Sequence, residues 1–252
     1  MMVANQCNNG KKEDDAELIN NGMLAKKYLE MFLDYYDGEN VNQEICGFSD
    51  RNYKYYVQLF EKFIKTNNND NFSKEEKGDA LEDLTFHLLK STGLFEVYKN
   101  LHSSTNEVDV LFILNDKAKP LQKSGILNFE WQEFISECKN HKGSVSVTYV
   151  GKFYSLLNTM NINLGIMFSY NGLSGNKWNN AEGLRRKMYF KKEKLKEKTI
   201  ILSFDKNDFE LLLDKNNNFI NIINKKLLAL KTDIDFSEYI KEHPAEKKIK
   251  GK

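Results

Sequence analysis

At 252 residues, 40% hydrophobic and 29% charged, the chain suits one or two globular domains with a sizeable core and is not a disordered polypeptide. A formal net charge of only +1 removes any argument from bulk charge for nucleic-acid binding, which leaves local clustering as the way to build an electropositive surface. Cys7, Cys46 and Cys138 make neither an even disulfide set nor a CxxC pair, no charged n-region leads into an apolar stretch, and no run approaches the roughly 18 apolar residues of a span, so the expected location is the cytoplasm, with no membrane partner.

In chain order, Leu18, Met23, Leu24, Tyr28, Leu29, Met31 and Phe32 recur at helical spacing and predict a helix over about 14–36, ending in Asp37-Gly38. Tyr53, Tyr56, Leu59, Phe60 and Phe63 predict a second over about 50–66. These two helices make a small module that would recognise DNA, dock a partner or cover a sheet edge. TNNNDN, residues 66–71, reads as a linker, so the expected domains are a helical N-terminal extension, 1–71, and a core domain, 72–252.

Ser73 with Glu76 three residues on is a capping box, and Gly93 a stop signal, bounding a helix at about 74–92. Glu82, Phe86 and Leu89 stand at i, i+4 and i+7, which puts a carboxylate on a face shared with apolar residues, where it needs a partner. Leu94–Leu101 reads as a strand and 102–106 as a polar loop. In the next strand Val108, Val110, Phe112 and Leu114 alternate with Asp109, Leu111 and Ile113, so both faces are apolar except at the acid. A charge there is costly unless a metal or a partner compensates it.

Residues 115–125 read as a turn-rich connection, and 126–140 carry a third strand. Its apolar run ends in Phe134, Ile135, Ser136, Glu137, Cys138 and Lys139. Period-2 side chains put Glu137 and Lys139 on one face and Cys138 on the other. Two carboxylates, with a backbone carbonyl between them, are the oxygen ligands that Mg²⁺ takes when it keeps several waters and meets phosphate. Other E-x-K triplets occur at 75–77 and 246–248, but neither ends an apolar run. Lone His87, His102 and His141 stay outside the catalytic set.

Asp109 followed 28 residues later by Glu137-x-Lys139 resembles the core of the PD-(D/E)XK nuclease superfamily, most closely its Mrr-type restriction endonucleases. KGDALEDLTFHLLKSTGLFEVYKN resembles that family's first core helix and strand, with Glu82 in the place of its helix glutamate. SVSVTYVGKFYSLLNTMNINLGIMFSYNGLSG resembles the helix and strand after its lysine. The resemblance covers about residues 72–175 and extends less clearly to about 230. Val108 stands where the motif name has proline. The fold implied is α/β, a restriction-endonuclease-like mixed central sheet flanked by helices, with the helical N-terminal extension in front.

The implied activity is metal-dependent endonucleolytic hydrolysis of DNA in restriction or anti-phage defence. Asp109, Glu137 and the Cys138 carbonyl would hold Mg²⁺, with Mn²⁺ as substitute. Glu82 would complete or tune the metal site, and Lys139 would orient the attacking water. DNA is the expected partner, together with a second copy or a defence-complex subunit, because double-strand cleavage uses two active sites. The alternatives are a junction-resolving or repair nuclease of the same fold and a non-catalytic subunit that binds nucleic acid or protein.

Later in the chain, Ser144 or Ser146 would cap a helix facing inward through Tyr149, Phe153, Leu156, Leu157 and Met160, starting near the lysine. GIMFSY and TIILSF read as strands separated by a charged helix over about 180–198, and FINIINKKLLALK as a closing helix. Strand, helix, strand implies a right-handed crossover and a parallel pair. The basic cluster from Arg185 to Lys198 and the tail KKIKGK are candidate phosphate contacts, set against a solvated helix face.

Overall fold

The computed structural model describes residues 23, 24, 26, 27, 43–102, 107–194 and 197–233, with the side chains of 100–102 and 107–109 outside the description. Two compact units divide the chain, Met1–Glu44 and Ile45–Lys252. In the first, Met23, Leu24, Lys26 and Lys27 are helical and exposed; the rest of the helix expected over 14–36 lies outside the described residues.

In the second unit, helix α1 spans Asp50–Asn67 and buries Tyr56, Leu59, Phe60 and Phe63 from one face. Ser49 starts it, its hydroxyl accepting from the Asn52 N–H at 3.3 Å. Helix α2, Lys74–Ser91, opens on the expected capping box: the Glu76 N–H donates to Ser73 Oγ at 3.1 Å, and the Ser73 N–H to the Glu76 carboxylate at 2.7 Å. Gly93, at φ +65, ends it in the left-handed region that favours glycine.

Strands β1, Phe95–His102, and β2, Glu107–Leu114, pair antiparallel with Phe95 facing Leu114. The connection that follows is not all turn. It holds the six-residue helix α3, Ala118–Lys123, started by Asn115 Oδ1, which accepts from the Lys117 and Ala118 N–H groups at 3.1 and 3.0 Å. Pro120 sits in its first turn, where no intrahelical donor is lost.

Strand β3, Glu133–Cys138, pairs antiparallel with β2. Helix α4, Val147–Met160, then crosses to β4, Leu164–Phe168, and α5, Asn180–Phe190, crosses to β5, Ile200–Phe204. Both crossovers make parallel pairs. Helix α5 stops at Phe190, short of the expected 198, because Lys191, Lys192, Glu193 and Lys194 are all exposed and give a further turn nothing to bury. Helices α6, Lys206–Leu211, and α7, Phe219–Thr232, close the described chain.

The sheet therefore runs β1-β2-β3-β4-β5, antiparallel on one side of β3 and parallel on the other. Strand periodicity sorts its side chains into two cores. Phe112, Phe134, Ile166, Leu202 and Phe204 enter a large cluster with α1, α2, α6 and α7. Leu111, Ile135, Met167 and Ile201 enter a smaller one, with Val150, Phe153 and Leu157 of α4 and Ala181 of α5. The outcome is the expected mixed α/β sheet flanked by helices. The inward face of α4 is rotated slightly from the expected one, leaving Tyr149, Leu156 and Met160 half-buried.

Hydrogen bonds far apart in sequence lock α1 in place: Tyr56 Oη donates to the Phe209 carbonyl at 2.7 Å and Tyr53 Oη to the Leu213 carbonyl at 2.8 Å. Among the described residues no helix is long and apolar enough to cross a membrane.

Candidate active site

The end of β3 is held to the last residue before it leaves the sheet. Glu137 faces Met167 and Cys138 faces Phe168 in the parallel ladder, and the Lys139 N–H donates to the Phe168 carbonyl at 2.8 Å. Ser136 turns into the large core and is fully buried. Glu137, one residue on, turns to the opposite face, where Lys139 joins it two residues later.

The geometry bears that alternation out: Lys139 Nζ lies 2.6 Å from Glu137 Oε1, with the side chains 26% and 18% exposed. A charge pair so shielded from water is stronger than a surface pair, and removing either member would leave the other poorly solvated.

Asp109 stands on β2, one residue before the last pair it makes with β3 at this end. The last paired residues of β2 and β3 at this end are Val110 and Ser136, and the antiparallel pairing continued by one step sets Asp109 opposite Glu137. The Asp109 side chain itself lies outside the described residues.

Glu82 stands on α2 with an exposed side chain. Its helix is tied to the end of β3, since Asn140 Nδ2 donates to the Lys77 carbonyl at 2.5 Å, one turn and a half before Glu82. Asn140 went unremarked in the sequence because an asparagine after a strand signals only a turn. Its adjacency to the E-x-K triplet was the available clue.

The loops that leave β3 and β4 are stitched into one rim. The Val145 N–H donates to the Gly172 carbonyl at 2.8 Å, the Ser174 N–H to the Val145 carbonyl at 2.9 Å, and the Asn171 amide to the Lys142 carbonyl at 3.2 Å. Ser144 Oγ donates to the Asn171 carbonyl at 3.4 Å, so this hydroxyl serves the rim. Ser146 is the N-cap residue of α4, without a side-chain capping bond. The rim lies at the carboxyl ends of the parallel strands, where open α/β sheets present their ligand sites.

His87, His141 and Cys46 have structural explanations. His87 Nε2 lies 2.9 Å from the Asn52 carbonyl and joins α2 to α1. The exposed ring of His141 packs against Tyr149 with centroids 4.9 Å apart. Burial pushes the Cys46 thiol up to about 12, far from a reactive thiolate.

Oxygen donors on β3, with a carboxylate position beside them on β2, suit a hard divalent cation that retains waters. Among the described residues no cluster of three or more His, Cys, Asp or Glu side chains could hold a metal, and the Asp109 side chain stands outside that set.

Residues 73–197 match the family model of a restriction endonuclease of the Mrr catalytic type. The match begins at the N-cap of α2 and takes in Glu82, Asp109, Glu137 and Lys139 as well as α5. No curated protein and no solved structure matches the chain. Its sheet topology and its matched segment agree, and the chain belongs, through residues 73–197, to the restriction endonuclease family, with a PD-(D/E)XK-like nuclease domain of Mrr type.

Proposed function

We propose that the protein is a metal-dependent endonuclease that hydrolyses DNA phosphodiester bonds in restriction or anti-phage defence. The observation that carries this reading is the meeting at the end of β3: Lys139 Nζ at 2.6 Å from the Glu137 carboxylate, with Asp109 next in register across from Glu137.

Asp109, Glu137 and the Cys138 carbonyl would hold Mg²⁺, with Mn²⁺ as substitute, and Glu82 would complete or tune that site. A bound ion of this kind lowers the pKa of water and neutralises charge that builds on phosphate. Glu137 orients the Lys139 ammonium. The ammonium directs the attacking water and hydrogen-bonds a phosphate oxygen as negative charge develops. The water oxygen bonds to phosphorus as the water gives up a proton to solvent, the bond from phosphorus to the departing sugar oxygen breaks, and that oxygen takes up a proton from solvent. A second copy or a defence-complex subunit would supply the second active site for double-strand cleavage.

The test is cleavage of plasmid and linear DNA, methylated and unmethylated, with Mg²⁺ or Mn²⁺. Metal-dependent cutting by the wild type should fall by about 10²–10³-fold in Lys139→Ala, the scale seen when one transition-state donor is removed. A wild type that cuts none of these substrates, or a Lys139→Ala variant that cuts as well, refutes the reading.

A further inference from the structure

The segment from Lys177 to Lys198 holds nine Lys and Arg against three Glu, a local excess of six in a chain of net charge +1. Two of its three acids are engaged: Glu182 is 2.7 Å from Arg185, and Glu197 is 3.5 Å from Lys194. Lys177, Lys187, Lys191 and Lys192 are exposed.

Among these cations stand two aromatic rings in solvent. Trp178 is 54% exposed and Phe190 40%, with ring centroids 5.8 Å apart and planes tilted by 36°. Lys198 Nζ lies 5.4 Å from the centre of the Phe190 ring. Helix α5 buries Ala181 and Tyr189 and packs Leu184 and Met188 half-buried against the smaller core, whereas the Trp178 and Phe190 rings stay exposed. Among the described residues, the other exposed Tyr, Phe and Trp side chains are occupied locally: Tyr98 Oη donates to Glu96, and Tyr55 packs edge-on against His87.

Position connects the pair to the active site. Trp178 ends the loop that follows β4, the same loop whose Asn171, Gly172 and Ser174 bond to the loop carrying Lys142 and Val145 just after Lys139. Helix α5 also packs in the cluster that contains Ile135 and Met167, on the Glu137 face of the sheet.

We propose that Trp178 and Phe190 form a stacking platform for unpaired bases of a DNA strand, flanked by lysines that hold its phosphates, so that the enzyme engages DNA bearing a single-stranded stretch. Phosphates alone would need only the lysines. Ring faces gain most from a base that has left its own stack, at about 1–3 kcal/mol per base.

The inference rests on the DNA-hydrolysing reading, and it is tested with the full chain carrying Lys139→Ala, so that no substrate is consumed. Anisotropy titrations compare a labelled forked duplex with single-stranded arms of about ten nucleotides, within the site sizes of single-strand binders, against a blunt duplex of equal length. The fork should bind at least about 10-fold tighter, and Trp178→Ala should weaken fork binding by about 5–150-fold, the equivalent of one stacked base, while leaving the blunt duplex unchanged. Trp178→Phe should restore the preference, because a ring remains.

Fork binding should also quench tryptophan fluorescence, and Trp178→Phe should abolish the quenching. Equal affinity for fork and blunt duplex, or a preference that survives Trp178→Ala, overturns the platform; tighter binding of an RNA fork overturns the choice of DNA. A wild type that cuts DNA without any preference for forks refutes the platform alone. A protein that binds forks yet never cuts refutes hydrolysis alone.

Discussion

Substituting Gly165 by alanine tests how tightly α4 is laid on the sheet. Gly165 lies on β4 opposite Ile135, and an added Cβ would stand 2.5 and 2.8 Å from Phe153 Cε1 and Cζ and 2.7 Å from Leu157 Cδ1. Ordinary carbon contacts are about 3.5–4.0 Å, so the ring and the methyl must each retreat by roughly 1 Å. Both are buried in a packed cluster with little space to move into.

Overpacking of this kind costs about 1–3 kcal/mol. For a unit of this size that corresponds to a fall in Tm of about 2–12 °C. Thermal and urea unfolding of Gly165→Ala, Phe153→Leu and the double variant measure it. Phe153→Leu removes the ring atoms that collide, so the double variant should be more stable than the sum of the singles by about 1 kcal/mol or more. Wild-type stability in Gly165→Ala, or strict additivity in the cycle, refutes the close approach of helix to strand.

Tyr56→Phe deletes the buried hydroxyl bonded to the Phe209 carbonyl at 2.7 Å and should cost about 1–3 kcal/mol in urea unfolding, since the carbonyl is left without its donor; a neutral result would contradict the bond. Asp208 is raised above the ordinary carboxylate range, first by burial and only partly offset by Lys226 at 2.8 Å. A raised native pKa contributes stability that is full below the unfolded pKa and is lost as pH rises through the native one. The Tm difference between wild type and Asp208→Asn should therefore shift in favour of wild type as pH is lowered from 7 toward 4, and a flat difference would rule this out. Saturating Mn²⁺, at about 100 times its Kd, should stabilise the wild type by about 2.7 kcal/mol and raise its Tm, but not that of Glu137→Gln; equal shifts in both proteins would place the ion elsewhere.

What the sequence disclosed follows the range of the forces involved. The start of α2 was legible because Ser73 and Glu76 lie three residues apart and satisfy each other locally. The strands were legible because alternation is a local pattern, and the same alternation put Glu137 and Lys139 on one face, as the 2.6 Å contact reflects. That the backbone positions of Asp109 and Glu137 follow the last paired residues, Val110 and Ser136, depends on the pairing of β2 with β3 across some 28 residues, which no local pattern encodes. Helix α3 was hidden because its start depends on the side chain of Asn115 and it is only six residues long. The early stop of α5 required knowing that nothing lay beyond Phe190 for another turn to cover. The exposed Trp178 was equally invisible, because an apolar residue in a loop reads as anchored until its surroundings are known.

The order of the strands has a consequence for synthesis. Because β1 to β5 lie side by side in the order in which they are made, each can dock on its predecessor as it leaves the ribosome, and no strand waits for a later one to fill a gap. Helix α1 breaks this sequence. It is translated before the sheet, yet Tyr53 and Tyr56 donate to carbonyls 160 and 153 residues downstream. Helix α1 thus acts as the final latch of its unit: a nascent chain halted after β5 would hold a complete sheet and an unclosed aromatic seam, and such a chain is a natural target for chaperones and proteases.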